Sequence, residues 1–292
     1  MKSFFLILAI CLSIVADRSQ ASEKHGHTAL AFLEARGDTI NRSWFNNRRR
    51  SYSRQGDFFV QVGFNWSSYG KSDINFDGPG YDFTLEDVKA NDQPYKGSLQ
   101  YNIHAGYFIT DNYSLSLGYD HMKYVMKIPQ QLIMSGVIEA QVSSPSFPSG
   151  PYAGNYNSQS INITPELVTL EYTDGFNYIN ARIQRFDDIW VSDNARNSLA
   201  LESGVGLGLI MPRADVKLFG VGMNNKLNVA GWGASAKAGL MFNFNRNIYF
   251  MTSLEAGYAN MDKIFTTGRN DFDKASQKLN FVQNTYLIGL RF

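Results

Sequence analysis

Cysteine is almost missing from this chain. The single one, Cys11, lies inside the first apolar run. Once that run is removed no thiol remains, so disulfides and cysteine metal sites are excluded. A dominant charge is missing too. Lys and Arg total 27 against 26 Asp and Glu, for a formal net charge of +1. Nucleic-acid binding needs a clear basic excess, so no nucleic-acid partner is expected. Long apolar runs are absent after Phe4–Ala16. That run is itself shorter than the roughly 20 residues of a spanning helix.

The N-terminus reads as a secretory signal peptide over residues 1–21. Met1-Lys2 precede the apolar run, and Ser19-Gln20-Ala21 offers a small-residue cleavage site. A lipoprotein signal is disfavoured, because Ile10 is too bulky before Cys11 and cleavage there would halve the apolar run. Residues 22–56 form an extension. His25 and His27 could bind metal, but they adjoin the cleavage site and are expected to be mobile.

From residue 57 the apolar residues alternate with period two. Phe58, Val60, Val62, Phe64 and Trp66 share one face; Gln61, Gly63 and Asn65 share the other. The pattern recurs over 98–109, 113–126, 168–186, 197–211, 227–244 and 248–260. It ends in KLNFVQNTYLIGLRF, where Val282, Tyr286, Ile288, Leu290 and Phe292 lie on one side. Gln283, Thr285, Gly289 and Arg291 lie on the other, together with Leu279, Phe281 and Leu287. An exposed soluble edge strand of this kind would leave apolar surface and open backbone groups. In a closed barrel it pairs on both sides and turns its apolar face to lipid.

An alternating last strand that stops at Phe292 resembles the terminus of bacterial outer-membrane β-barrel proteins, in the small, eight-stranded OmpA/OmpW-like class. The resemblance covers the terminus and names a class. It implies an all-β fold, an antiparallel transmembrane β-barrel over 57–292, in the bacterial outer membrane. Outer-membrane lipids would surround it, and the barrel-assembly machinery would read Phe292. The strand count is eight, with short periplasmic turns alternating with long extracellular loops. Ten strands would result if residues 136–142 paired inside the membrane. Aromatics collect at two levels: Phe58, Tyr107, Tyr113, Phe242, Phe244, Phe250 and Phe292 at the periplasmic ends, and Trp66, Tyr119, Trp232 and Tyr258 at the outer ends. A lipocalin-like barrel would put its apolar rows inside instead.

Eight strands enclose a lumen that side chains fill. Its inward charges are Asp120, Arg182, Glu202, Lys237, Glu255 and Arg291. Buried charges need partners. The simpler expectation is a plugging network, with Glu202 and Glu255 on Lys237 or Arg182. The sharper one is a gated pore or a proton-linked site. In the extension, Ala29, Leu30, Phe32 and Leu33 form one short apolar face, followed by Arg48, Arg49, Arg50 and Arg54. An inner-leaflet segment with arginines on phospholipid headgroups, an unstructured leader and a small plug all remain open.

Catalytic signals are weak. Lipid-deacylating outer-membrane barrels use a His-x-Ser pair, which puts base and nucleophile on one strand face. Here the histidines read His104-Ala105-Gly106 and His121-Met122-Lys123. His104 points inward beside Gln100 and Asn102; His121 and Asp120 are placed near the outer rim. Asp73-Ile74-Asn75-Phe76-Asp77-Gly78 opens like a calcium loop, but position twelve is Thr84 rather than Glu. A strand extension turning at Gly78-Pro79-Gly80 explains it better. Residues 143–157, rich in Ser, Pro and Gly, read as a mobile exposed loop.

The expected function is a non-enzymatic surface, adhesion or envelope-structural role, meeting a host or extracellular ligand through the loops. No catalytic residue, cofactor or metal is assigned. The alternatives are a lipid-modifying enzyme at the rim, or a narrow small-solute channel with Lys237, Glu202 and Glu255 setting selectivity.

Overall fold

The structure, a computed structural model, describes residues 52–292 apart from 97–98, 143–146, 223–225 and 268–271. The signal peptide, His25, His27, the apolar face at 29–33 and Arg48–Arg50 lie outside the described residues. In chain order the strands are β1 (Phe58–Tyr69), β2 (Ser72–Gly78), β3 (Tyr81–Val88), β4 (Ala90–Asn91), β5 (Tyr101–Phe108) and β6 (Tyr113–Met126). There follow β7 (Gln130–Ile138), β8 (Gln141–Val142), β9 (Phe147–Pro148), a 3-10 turn at Gly150–Tyr152, β10 (Gly154–Ile163) and β11 (Val168–Val191). The last are β12 (Ser198–Pro212), β13 (Asp215–Leu218), β14 (Val221–Gly222), β15 (Gly231–Asn243), β16 (Ile248–Phe265) and β17 (Lys274–Arg291).

Eight of these form an antiparallel ring in the order β1-β5-β6-β11-β12-β15-β16-β17, and β1 pairs again with β17. That last ladder runs from Phe59↔Arg291 to Tyr69↔Phe281. Each ring strand therefore has a partner on both sides, which satisfies backbone groups that lipid cannot. The short turns are built by side chains that mimic backbone acceptors. Thr110 Oγ1 accepts from the amides of Asn112 (3.2 Å) and Tyr113 (3.0 Å). Asn245 Oδ1 accepts from Asn247 (2.8 Å) and Ile248 (2.9 Å). This end, with the short turns, is the periplasmic one.

The long connections at the other end are not open loops. They continue the same sheet beyond the ring as a second tier, the cap. β2 runs on past β1 and pairs the start of β17, Lys274↔Asp77 to Gln277↔Ile74. β3, β7 and β10 add to it in turn. β13 and β14 lengthen the β11 side, and β4 pairs the top of β6. The cap has its own apolar core, including Phe76, Phe83, Leu85, Met134, Tyr172 and Phe176. Residues 136–138 thus pair with β3 and β10 outside the ring, which removes the ten-strand alternative. The expected loop at 143–157 is ordered where described: Phe147–Pro148 pairs with Gln141–Val142, and β10 starts at Gly154. Tyr156, Ile161 and Ile163 supply the apolar contacts that composition alone hides. Strands β16 and β17 run longer than their alternation indicates because their cap halves bury residues on an apolar core, whereas β11 gains residues 187–191 at its periplasmic end, paired with the start of β12.

Candidate functional site: the filled lumen and the lipid-facing wall

The strand period turns Gln61, His104, Asp120, Arg182, Glu202, Lys237 and Glu255 into the lumen, where all are buried. They assemble into one polar layer. Arg182 Nη2 lies 2.5 Å from Asp120 Oδ2 and 3.0 Å from Glu255 Oε1. Lys237 Nζ lies 2.7 Å from Glu202 Oε1, which also accepts from Gln184 Nε2 at 2.7 Å. Ser253 Oγ donates to the other Glu202 oxygen. Asn180 Nδ2 donates to Asp120 at 2.8 Å, and Asn102 donates to the same carboxylate. The four sequence-derived network residues therefore sit in two ion pairs, Arg182–Glu255 and Lys237–Glu202. Asp120 joins them as the second carboxylate on Arg182.

His104 faces both signs of charge. Its Nε2 is 2.7 Å from Asp120 Oδ1 and 2.8 Å from Arg182 Nη1, and its Nδ1 is 3.3 Å from Gln61 Oε1. A protonated Nε2 donates to Asp120, whereas a bare Nε2 accepts from Arg182. One nitrogen cannot do both. Gly118 gives the cluster its room. A Cβ there would fall 2.6 Å from Arg182 Nη1 and 2.9 Å from His104 Cδ2.

Apolar layers close the network above and below. On the periplasmic side Phe59, Phe108, Phe186, Met241, Tyr249 and Leu287 pack together. Arg291 is sandwiched there, its guanidinium 5.3 Å from the Phe108 ring and 5.2 Å from Tyr249, with Nη2 on Asn243 Oδ1 at 2.9 Å. Beneath it the chain just before β1 crosses the mouth. Arg54 is buried, ion-paired with Asp188, and donates to the Asp111 carbonyl at 3.0 Å. It is thus held by the protein and withdrawn from phospholipid headgroups, unlike one of the expectations for this segment. On the outer side Tyr178, Phe176 and Phe281 close the lumen beneath the cap.

Asp120 is therefore not a rim residue. It is 0% exposed, under Met122 and the cap core. His121 is also buried: its ring stacks on Tyr101 at 4.9 Å, and Nδ1 meets Asn177 Oδ1 at 2.8 Å. The Ser116 and Ser253 hydroxyls donate to Gln184 and Glu202 rather than to an imidazole. The calcium-like stretch is the β2–β3 hairpin. Asp73 Oδ1 accepts from the Asp87 amide at 2.9 Å, and Asp77 pairs with Lys274 at 3.0 Å. Among the described residues no group of three or more His, Cys, Asp or Glu is arranged to hold a metal.

The outer wall of the ring inverts this polarity. Val62, Phe64, Ile103, Leu117, Ile183, Leu207, Leu209 and Ile288 all point outward and are exposed. Trp66 and Trp232 border them at one level, Phe58, Tyr113 and Phe292 at the other. Such a belt is too large for contact with water and fits a bilayer with aromatics at both interfaces. The protein is a membrane-spanning β-barrel built on the outer-membrane pattern.

Among solved structures the likenesses are distant. The outer-membrane protein OprG from Pseudomonas aeruginosa is 12% identical, with a TM-score of 0.39 over 82% of this chain and 97% of its own. The attachment invasion locus protein of Yersinia pestis is 15% identical, with a TM-score of 0.32 over 82% and 99%. The outer membrane protease OmpT from Escherichia coli is 10% identical, with a TM-score of 0.33 over 84% and 99%. Likeness this distant carries no activity to the barrel. No family model and no curated protein matches the chain.

Proposed function

We propose that this barrel is a non-conducting membrane anchor that displays an ordered β cap at the cell surface. Its role is then surface interaction or envelope structure rather than catalysis or transport. The observation that carries this reading is the filled lumen. An apolar layer, an ion-pair layer and a second apolar layer follow one another along the axis, each built from buried side chains. A solute path would have to break buried ion pairs. The rim-enzyme alternative loses support from the burial of both Asp120 and His121. The cap adds the display surface: Asn155, Asn157, Ser158, Gln159 and Asn162 of β10 are exposed.

The test is conductance of the purified barrel in planar bilayers, with Lys237→Met alongside. The native protein is expected to give no ion steps. The variant, which leaves Glu202 uncompensated, is expected to lose several kcal/mol of stability, about 3–5, and still not conduct. Discrete steps from the native barrel would overturn the proposal in favour of a channel.

A further inference from the structure

The lipid-facing wall is not uniform. A groove of about 910 Å³ crosses β1, β5, β6, β11 and β12 on the periplasmic half of the belt. Its origin lies in one hydrogen-bonded row. Val60 is in register with Ala105, Ala105 with Leu117, Leu117 with Ala181, and Ala181 with Leu207. Two alanines thus alternate with larger side chains, and each leaves a dent where its neighbours stand proud. Phe58 and Phe292 border the groove at its lower end.

The foot of the groove is charged. Two residues below Ile183, on the same face of β11, comes Arg185; two below Leu115, on the same face of β6, comes its register partner Tyr113. Arg185 lies 5.6 Å from the Tyr113 ring centroid, and its Nη1 donates to the Tyr113 hydroxyl at 3.3 Å. It also holds Asp187 through two hydrogen bonds, Nε to Oδ2 at 2.8 Å and Nη2 to Oδ1 at 3.0 Å. Both side chains stay about a third exposed, 31% and 33%. A cation and an anion thus stand side by side on the outer wall, at the level of the periplasmic aromatics, directly below an apolar groove.

We infer that this wall binds one zwitterionic phospholipid of the inner leaflet. Its phosphate would lie against Arg185, its ammonium against Asp187, and one acyl chain in the groove over Ala105 and Ala181. The two protein charges cancel, so the foot matches a headgroup that also carries one charge of each sign. A net-anionic headgroup brings no positive charge to Asp187 and can offer it at most a neutral hydroxyl donor. Charge-assisted hydrogen bonds from a guanidinium to phosphate are among the stronger polar contacts, and partial removal from water at the interface strengthens them further. The site rests on the barrel being embedded in a bilayer and is independent of whether the lumen conducts.

Native mass spectrometry tests this. The detergent-purified barrel is mixed in turn with phosphatidylethanolamine and phosphatidylglycerol of identical chains. The expected result is a single retained lipid, with phosphatidylethanolamine held about tenfold better. Arg185→Gln and Asp187→Asn should each weaken that adduct about fivefold, the size of a partly exposed ion-pair contribution. Ala105→Leu with Ala181→Leu fills the groove and should abolish the adduct. The heat-modifiable gel mobility of the folded barrel should persist, since both substitutions face lipid. Preference for phosphatidylglycerol would overturn the assignment. So would equal retention of both lipids that the groove-filling pair leaves unchanged, which would mean only the general coating every barrel wall carries.

Discussion

One strand, β6, passes through two regions with opposite rules. In its lower half Tyr113, Leu115 and Leu117 face outward, Leu117 being 70% exposed, while Ser114, Ser116 and Asp120 fill the interior. In its upper half the interior residues are Met122, Tyr124 and Met126. β17 makes the same switch between Gln283 and Phe281. On β17 the backbone pairing is continuous through the change, Ser67↔Gln283 to Tyr69↔Phe281 with β1 and Glu255↔Gln283 to Gly257↔Phe281 with β16, so hydrogen bonding does not set it. The solvent outside sets it. Where lipid covers the wall, apolar side chains gain nothing by turning inward, and the narrow lumen can hold polar groups if each finds a partner. Where water covers the wall, the hydrophobic effect restores an apolar core. Trp66, Tyr119, Trp232 and Tyr258 stand close to the crossover, as aromatics at a membrane interface do.

The most severe way to break the lower region is Arg182→Met. It leaves Asp120 and Glu255 buried without their shared cation, at an expected loss of about 3–5 kcal/mol. Urea unfolding in phospholipid vesicles reads it, and an unchanged midpoint would show that the network does not hold the barrel. Phe83→Ala should cost the cap a similar amount, about 3–5 kcal/mol, but locally. Proteolysis should become faster in the cap strands while the ring keeps its heat-modifiable mobility. Simultaneous loss of both would mean that the two regions unfold as one. The same substitution type then separates the outer faces. Leu117→Arg at mid-belt should cost about 2–4 kcal/mol, and Gln159→Arg on the cap no more than about 0.5. Equal costs would remove the distinction between lipid and water outside the wall.

The smallest effect is one of pH. Asp92, beyond β4, accepts from the Ser67 amide at 2.7 Å and from Gln100. Burial raises its pKa, with the hydrogen bonds from Ser67 and Gln100 opposing. A carboxyl with a raised folded-state value destabilises its surroundings when ionised. The segment should therefore tighten as pH falls from neutral through that raised value, and gain nothing further below the ordinary carboxylate range. Hydrogen exchange at residues 90–96 should show it, and Asp92→Asn should flatten the profile. A segment that loosens on acidification would reverse the sign and refute burial as the cause.

The ring was largely legible because alternation is local. Period two alone placed Arg182, Glu202, Lys237 and Glu255 on the inner face, and it also put Asp120 there. It could not say that Asp120 and Glu255 share Arg182. That depends on β6 lying beside β11 while β16 faces it across the lumen, a consequence of closure and stagger. It also misjudged depth. Asp120 and His121 read as rim residues because the cap above them is made by β2, β3, β7 and β10, whose pairings join residues far apart in sequence. The lone calcium-like signal resolved the same way, as Ile74 and Phe76 are strand residues buried in that cap.

What the sequence determined by itself is therefore the wall: which residues face lipid, which face the lumen, and where the aromatic borders fall, because each follows from side-chain alternation along one strand. Only the tertiary structure decided which charges meet, that the lumen is shut at both ends, that the outer connections are sheet, and that Ala105 and Ala181 make a groove above Arg185. Each of those depends on register between strands, and register is a property of the closed ring that no single stretch of residues contains.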